Sequence, residues 1–245
     1  MLIASRNNPL VKKIISLKEK KYRRLYGEYL IEGIKQVKEA VAAGCAVTRI
    51  VCSQSYSGDT FGYCGEDLAV VTDGVFEKLS DTIAPQGILA TVKIPQNDFS
   101  PPERSCILLD GVSDPGNLGT IIRTANAAGY DDIYLLNCTD AYSPKCVRSA
   151  MSGVFFVRLH AGEGREIFTA LANIPLVCAD MSGEDVFEFQ SPEKFCLVIG
   201  NEANGVSDSI RGVCSYTVKI PMRSTCESLN AGVSAGILMY LLNRK

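Results

Sequence analysis

Five polar side chains in three loops are of the types that bind and orient a phosphate or a hydroxyl group: Asn117, Arg123, Glu202, Ser228 and Asn230. In the first loop, LDGVSDPGNLGTIIRTA at 109–125, several glycines allow the backbone to turn tightly. Asn117 is predicted to cap a helix that starts at Leu118, and Arg123 follows on that helix. A guanidinium can hold a phosphate in a forked pair of hydrogen bonds. This loop therefore predicts an anion-binding site.

The second and third loops carry the other three side chains. Glu202 lies in VIGNEANGVS at 198–207, between two glycines that let the backbone bend around a ligand. Ser228 and Asn230 precede an apolar helix, which we expect to be buried in the core or at a subunit contact. On residue type alone, Arg123 in a surface salt bridge and Glu202 as a solvated carboxylate remain open alternatives.

The elements that must position these loops are indicated by a regular alternation of apolar runs and helix-length segments. The runs have the length of buried strands and cover 106–109, 133–136, 154–159, 176–179, 195–199 and 216–220. This alternation predicts an α/β domain in which helices cover both faces of a parallel sheet. Ligands bind beyond the carboxyl ends of the strands in such sheets, where the three loops are expected to lie.

The first 95 residues predict a smaller α+β domain. Asn8 and Pro9 are typical of a helix start, and a second helix is expected to end at Gly44. Short strands are expected at 29–31, 48–52, 68–71 and 88–93, with a helical segment near 75–79. Prolines interrupt the pattern between Ile94 and Arg104. We therefore expect a domain at 1–95, a linker at 96–104 and a second domain at 105–245.

Charge is distributed unevenly along the chain. Residues 1–38 contain ten Lys/Arg and three Glu, a net charge of +7, whereas the remainder carries −9, for a total of −2. A local basic surface can attract a polyanion although the whole chain is slightly acidic. The sequence thus permits a nucleic-acid partner, but an ordinary solvated helix face explains the same charges.

Composition excludes several classes of protein. The chain is 47% hydrophobic, which argues against wholesale disorder. It shows neither an apolar run long enough to cross a membrane nor a signal peptide, so we expect a cytoplasmic protein. Its ten cysteines form no CxxC pair and His160 is the one histidine, which favours buried free thiols and no metal site. The GxSxG match at 232–236 is predicted to lie inside a helix and follows His160, unlike a hydrolase elbow.

Taken in order, the three loops resemble the three motifs of the SpoU/TrmH family of RNA ribose 2′-O-methyltransferases, within the SPOUT class. LDGVSDPGNLGTIIRTA is similar to the first motif, IGNEANGVS to the second, and IPM…ESLNAGVSAG to the third. The N-terminal stretch SRNNPLVKKIISLKEKKYRR…GEYLIEGIKQVKEAV resembles the small ribosomal-protein-like (L30e-like) RNA-binding domain that many members carry. The resemblance thus extends over essentially the whole chain.

The resemblance implies a cofactor and a fold beyond what the residues alone predict. Members of the family bind S-adenosyl-L-methionine in a C-terminal trefoil knot and form homodimers through the catalytic domain. By this resemblance the cofactor contacts are expected at Gly200, Ile220, Leu229, Met222 and Ala179. Ser224 and Ala231 depart from the family's usual residues, glycine and a bulkier side chain.

The resemblance also implies roles for the five polar side chains. The family residue matching Arg123 acts on the ribose hydroxyl. Because a guanidinium stays protonated in proteins, we expect Arg123 to anchor a phosphate while a phosphate oxygen or water takes the proton. Asn117, Glu202, Ser228 and Asn230 would position the ribose and Arg123.

The function implied is methylation of a ribose 2′-hydroxyl, and the resemblance of the N-terminal stretch to ribosomal proteins favours ribosomal over transfer RNA. Two alternatives use the same sequence features. One is a non-catalytic RNA-binding or ribosome-assembly protein, and the other is a methyltransferase acting on a base or a small molecule. We expect RNA as partner and no membrane or metal.

Overall fold

The computed structural model describes residues 2–96 and 99–243, and these fall into two compact units. The first unit contains 2–95 together with Tyr142–Phe155, and the second contains the described residues of 96–141 and 156–243. The segment 142–155 therefore belongs to the first unit, although it lies inside the region 105–245 expected to form the second domain. Asn97 and Asp98 of the expected linker lie outside the described residues.

The first unit is built on a mixed sheet of five strands within the described residues, in the order β1-β4-β3-β5-β2. β5 is antiparallel to both β3 and β2, whereas β4 is parallel to β1 and β3. The elements are β1 (Leu2–Ile3), α1 (Pro9–Ser16), α2 (Lys20–Tyr26), β2 (Glu28–Glu32), α3 (Ile34–Ala42), β3 (Val47–Ser53), β4 (Leu68–Val71), α4 (Asp73–Leu79) and β5 (Ile88–Lys93).

The second unit is built on a parallel sheet whose six described strands run in the order β11-β9-β10-β6-β7-β8. This confirms the predicted α/β class. The elements from Cys106 onward are β6 (Cys106–Asp110), α5 (Pro115–Ala128), β7 (Asp132–Leu136), α6 (Pro144–Ala150, in the first unit), β8 (Arg158–Gly162), α7 (Gly164–Ala170), β9 (Leu176–Asp185), β10 (Cys196–Ile199), α8 (Asp208–Arg211), β11 (Tyr216–Lys219) and α9 (Ala231–Leu242).

Two strands differ from their predicted bounds by more than one residue at either end. The run 154–159 is not one strand, because Met151–Phe155 forms a 3₁₀ turn and the strand begins only at Arg158. Phe155 packs instead on the core of the first unit. β9 continues past Ala179 to Asp185, but its ladder with β11 skips from Cys178 to Glu184. Residues 179–183 therefore leave the ladder, although the strand does not end there.

The order of the second sheet explains where the three loops meet. β10 lies between β6 and β9, and β11 lies on the other side of β9. Because these strands are parallel, the segments after Asp110, Ile199 and Lys219 leave the sheet at the same edge. The core beneath them is apolar and includes Leu108, Val198, Val206 and Ile210.

Two expectations from composition can be compared with the described residues. No described helix is long and apolar enough to cross a membrane. All ten cysteines are free thiols, but only five are buried, and Cys64 and Cys226 are exposed. The prediction of buried thiols was therefore only partly right.

Candidate active site

The three loops border one cleft of about 540 Å³ at the carboxyl edge of the second sheet. This volume lies within the range of pockets that hold small molecules and cofactors. The cleft has both polar and apolar walls. Its apolar side chains include those of Met181, Ile199, Val218, Ile220, Met222, Leu229 and Leu238.

The structure brings nine of the ten predicted site residues to this cleft and leaves out Arg123. The nine are Asn117, Ala179, Gly200, Glu202, Ile220, Met222, Ser228, Leu229 and Asn230. Together they span more than a hundred residues of the chain, from Asn117 to Asn230. Their convergence therefore depends on the order of the parallel strands.

The start of α5 differs from the prediction in a way that matters for the cleft. The helix begins at Pro115 rather than Leu118, and its cap is Asp114, whose Oδ1 accepts the N–H of Asn117 at 2.8 Å. The prediction that Asn117 caps this helix was wrong, because an Asp-Pro pair supplies both the capping carboxylate and a proline at the first helical position. The side-chain amide of Asn117 is consequently available to the cleft.

Glu202 ties the second loop to the first. Its Oε2 accepts the N–H and the hydroxyl of Ser113 at 3.2 and 3.0 Å, and its Oε1 accepts the N–H of Asp114 at 3.2 Å. The side chain of Asn117 donates to the same Oε1 at 3.0 Å. Partial burial raises the pKa of Glu202, but these hydrogen bonds outweigh it and lower the pKa to about 2. Glu202 is therefore an ionised anchor at neutral pH.

The hydrogen bonds continue from Glu202 to the third loop. Asn230 Nδ2 donates to Asn117 Oδ1 at 2.8 Å, and Asn230 Oδ1 accepts from the N–H groups of Gly232 and Val233 at the start of α9. Because an ionised carboxylate can only accept, it fixes which end of the Asn117 amide faces it. The orientation of Asn117 then fixes that of Asn230. We call this chain, Glu202–Asn117–Asn230, the carboxamide chain.

The backbone of the second loop folds back on itself at Gly200. Asn201 and Gly205 pair through two backbone hydrogen bonds of 2.9 Å. A Cβ on Gly200 would lie 2.1 Å from the carbonyl carbon of Gly205, so only glycine fits. Asn201 completes the loop by donating to the carbonyl of Gly111 at 2.8 Å and accepting from Ala203 N.

The opposite wall offers unpaired backbone groups. Among the described residues, the N–H and C=O groups of Ile220, Met222 and Leu229 make no hydrogen bond. All three residues are half-buried. Polar backbone groups near apolar surface need a hydrogen-bond partner. An aromatic ring with donors and acceptors along its edge can supply such partners.

Two further residues of the cleft were missed by the sequence analysis. Asp180 lines the cleft and accepts from Arg211 at 3.0 Å. Hydrogen bonds from the hydroxyl and N–H of Ser182 lower the pKa of Asp180. Asn201 also lines the cleft. The spacing of Asp180 and Ser182 is that of a local side-chain turn, which could have indicated a bend in this strand.

Ser228 and Arg123 differ from the carboxamide chain. Ser228 lines the cleft on an exposed loop, and its hydroxyl has no hydrogen-bond partner among the described residues. Arg123 is exposed on α5 and has no ion pair in the described part of the chain. It follows Asn117 by six residues, which is about 9 Å along a helix and roughly a third of a turn away around it.

α5 and α9 approach each other closely beside the cleft. A Cβ on Gly232 would lie 3.1 Å from the methyl carbon of Thr120, and one on Gly236 would lie 3.3 Å from that of Thr124. Gly232 and Gly236 of α9 thus face threonines of α5. This packing holds Asn230 next to Asn117.

Comparison with known proteins identifies the family. Residues 104–240 match the SpoU rRNA Methylase family, and residues 8–90 match the MRM3-like substrate binding domain. The chain belongs to the SpoU rRNA methylase family. The family match spans all three loops of the cleft, so the resemblance of their motifs is confirmed.

Relatives of known activity extend over nearly the whole chain. The 23S rRNA (guanosine(2553)-2'-O)-methyltransferase RlmP of Bacillus subtilis is 32% identical over 98% of this chain and 98% of its own length. The 23S rRNA (uridine(2479)-2'-O)-methyltransferase of Streptomyces viridochromogenes is 31% identical over 97% of this chain and 90% of its own length.

Solved structures show the same arrangement. The AdoMet-bound rRNA methyltransferase from Sinorhizobium meliloti superposes with a TM-score of 0.88 at 25% identity, over 99% of this chain and 97% of its own. The SpoU methyltransferase AviRb from Streptomyces viridochromogenes, in complex with AdoMet, gives 0.88 at 27% identity over 97% of both chains. Members of this family with this fold therefore bind S-adenosylmethionine.

Proposed function

We propose that this protein transfers a methyl group from S-adenosylmethionine to the 2′-hydroxyl of a ribose in ribosomal RNA. The observation that carries the proposal is the single cleft in which the three family motifs meet through the carboxamide chain. The relatives named as 23S rRNA 2'-O-methyltransferases support the choice of ribosomal RNA.

The walls of the cleft suit the cofactor. Unpaired backbone groups at Ile220, Met222 and Leu229 can recognise the adenine edge, while the apolar side chains around them cover its faces. Asp180 and Glu202 place negative charge near a ligand that carries a sulfonium and an ammonium group. When bound, the cofactor supplies an electrophilic methyl group.

The residues of the chain then have to orient the acceptor. Asn117, Ser228 and Asn230 present amide and hydroxyl groups along the cleft that can hold a ribose hydroxyl in line with the methyl group. Correct orientation of the reacting groups can lower the activation barrier by roughly 7 to 11 kcal/mol. Because Glu202 is fully occupied by donors, a phosphate oxygen of the RNA or a water is the proton acceptor.

We assign Arg123 to the RNA strand rather than to the cofactor. Its guanidinium is exposed and unpaired among the described residues, as a group waiting for a phosphate would be. Arg123→Lys should lower methyl transfer and leave the affinity for S-adenosylmethionine unchanged, because a lysine cannot form the forked pair. Wild-type turnover in this variant would overturn the assignment.

A homodimer formed through α9 would bring Arg123 close to a second subunit. α9 exposes Val233 (49%) and Tyr240 (57%) although it is apolar nearly all round, and it packs on α5, which carries Arg123. Val233→Glu/Tyr240→Glu should yield monomers in analytical ultracentrifugation. A wild-type protein that sediments as a monomer would overturn this arrangement.

We further infer a trefoil knot in the second unit and an L30e-like RNA-binding fold in the first. The knot is supported by the path of the chain after β11. β11 is an edge strand of the sheet, whereas α9, the next element along the chain, packs on α5 near the centre of the sheet. The mixed five-stranded sheet and the substrate-binding match at 8–90 support the second inference. Tracing the chain through 200–230 in a crystal structure tests the knot, and a solved RNA complex of the first unit tests the RNA-binding fold.

The activity is tested by analysing the product. Ribosomal RNA and, separately, transfer RNA from cells lacking the protein are incubated with the full chain and S-adenosylmethionine that carries an isotope-labelled methyl group. The RNA is digested to nucleosides and examined by mass spectrometry. We expect one labelled 2′-O-methyl nucleoside from ribosomal RNA. A labelled base-methylated nucleoside, or label in transfer RNA alone, would overturn the proposed substrate, and calorimetry showing no binding of S-adenosylmethionine would favour a non-catalytic RNA-binding protein.

A further inference from the structure

The helical pair α1–α2 of the first unit exposes cations and tyrosines together. Lys20, Lys21 and Arg24 of α2 are exposed, and no ion pair of the described residues involves them. Tyr22 and Tyr26 lie one helical turn apart, with rings nearly parallel at 17° and centroids 6.3 Å apart. We call these five residues the lysine–tyrosine surface.

Cations lie directly against both tyrosine rings. The Nζ of Lys21 is 5.6 Å from the centre of the Tyr22 ring, and the Nζ of Lys13 on α1 is 5.2 Å from that of Tyr26. Such pairs place a positive charge and an aromatic ring within reach of the same ligand. A base that stacks on the covered face of a ring has to displace the lysine from it. Leu25, 66% exposed, adds apolar area beside the rings.

Two acidic side chains flank this surface along the chain, Glu19 before Lys20 and Glu28 after Tyr26. Glu19 is exposed at the start of α2, but Lys20, Lys21 and Arg24 outnumber its single charge. Glu28 is buried, and Lys13 and Lys93 bind its two oxygens at 2.7 and 3.3 Å. Its charge therefore does not cancel that of Lys20, Lys21 and Arg24. These cations face solvent within a segment, residues 1–38, of net charge +7 in a chain of net charge −2.

The surface is held in one shape. Arg23, on the buried side of α2, donates to the carbonyl of Leu17 at 2.7 Å and so fixes the turn between the two helices. Gly27, with φ of 62°, ends α2 with a hydrogen bond to the carbonyl of Arg23. A ligand would therefore meet a preformed surface and would not have to order it.

We propose that the lysine–tyrosine surface docks a single-stranded segment of the RNA substrate. Bases of any sequence stack on aromatic side chains while lysine and arginine follow the phosphates. The proposal rests on the proposed function in that the RNA is the methylation substrate, but it concerns binding alone.

The test measures anisotropy of a short fluorescein-labelled oligouridylate with the full chain over a range of salt concentrations. Tyr22→Leu/Tyr26→Leu should weaken binding about tenfold or more, because bases can no longer stack on the two rings. Tyr22→Phe/Tyr26→Phe should keep the wild-type affinity. Lys20→Gln/Lys21→Gln should reduce the slope of log affinity against log salt by about 0.7 for each phosphate contact removed.

A matched control is available in the same unit. Lys35 and Lys38 of α3 are also exposed, and Lys35→Gln/Lys38→Gln should leave affinity and slope close to those of the wild type. An equal loss in this control, no loss in the leucine variant, or equally tight binding to vesicles of anionic lipid would overturn the proposal.

Calorimetry with S-adenosylmethionine on the same variants separates the two proposals. We expect unchanged cofactor affinity in all of them. If the leucine variant binds RNA and methylates it like the wild type, the docking surface is wrong and the proposed function stands. If the wild type binds no cofactor and methylates no RNA, the proposed function fails, while the anisotropy data still decide the docking surface.

Discussion

The two walls of the cleft are built differently. On one side the carboxamide chain links the first, second and third loops through side-chain hydrogen bonds of 2.8 to 3.0 Å. On the other side, residues 221–229 are mostly exposed, and Cys226 N to Arg223 O is their one described backbone hydrogen bond. The tied wall can orient reacting groups before a ligand arrives. The open wall has backbone groups that make no hydrogen bond within the described residues and that a ligand can bind.

The largest effect should come from breaking the tied wall at its centre. Asn117→Asp replaces the donor to Glu202 with a second carboxylate, and like charges in contact repel. We expect the rate of methyl transfer in a single turnover to fall about 100-fold, because a small displacement of a reacting group can slow a reaction by that much. Asn173→Asp, at an exposed asparagine that precedes β9 and does not line the cleft, is the control and should stay within about twofold. A similar loss in both variants would mean that added negative charge, rather than orientation, sets the rate.

A smaller effect is expected where the second loop folds back. Gly200→Ala places a methyl group against the backbone of Gly205 and Val206, and such overpacking typically costs about 1–3 kcal/mol. Urea unfolding should show this loss together with weaker binding of S-adenosylmethionine. Gly74→Ala, where a Cβ meets nothing within 4 Å, should not destabilise the protein. Unchanged stability in Gly200→Ala would show that the loop relaxes freely.

Glu202 allows a prediction about pH. Its pKa is lowered to about 2 in the folded protein, below the ordinary value of 4.5 for a glutamate in water. The stabilisation it provides is therefore fully present above about pH 4.5 and is lost as the pH falls towards 2. The difference in unfolding free energy between wild type and Glu202→Gln should be constant near neutral pH and should shrink below pH 4.5.

Glu227→Gln, which makes the same substitution at an exposed position that does not line the cleft, is the control. Glu202→Gln should also lower methyl transfer without moving the pH profile near neutrality, because Glu202 does not titrate there. An inflection between pH 6 and 8 that disappears in this variant would instead identify Glu202 as the proton acceptor.

Much of this fold could be predicted because buried parallel strands form short apolar runs. The runs at 106–109 and 133–136 became strands that differ from the prediction by one residue. The run at 154–159 misled because Val154 and Phe155 are apolar for another reason, namely packing of their segment in the first unit. Periodicity alone cannot distinguish these two causes.

The site could be predicted by residue type but not by geometry. Nothing in the spacing of Asn117, Glu202 and Asn230 indicates that they bond to one another, because this depends on β10 lying beside β6. The role of Asp114 as helix cap was missed although Asp-Pro is a strong local signal. Arg123 was expected at the site because of its motif, but the helical repeat places it on another side of α5.

Hydrogen exchange with and without S-adenosylmethionine tests the central claim most directly. If the cofactor lies between the tied and the open wall, protection should rise in the segment 219–230, including the amides of Ile220 and Leu229, and should change little at Ser113 and Asp114, which are already bonded to Glu202. Protection confined to other parts of the chain, or equal gains on both walls, would contradict the account.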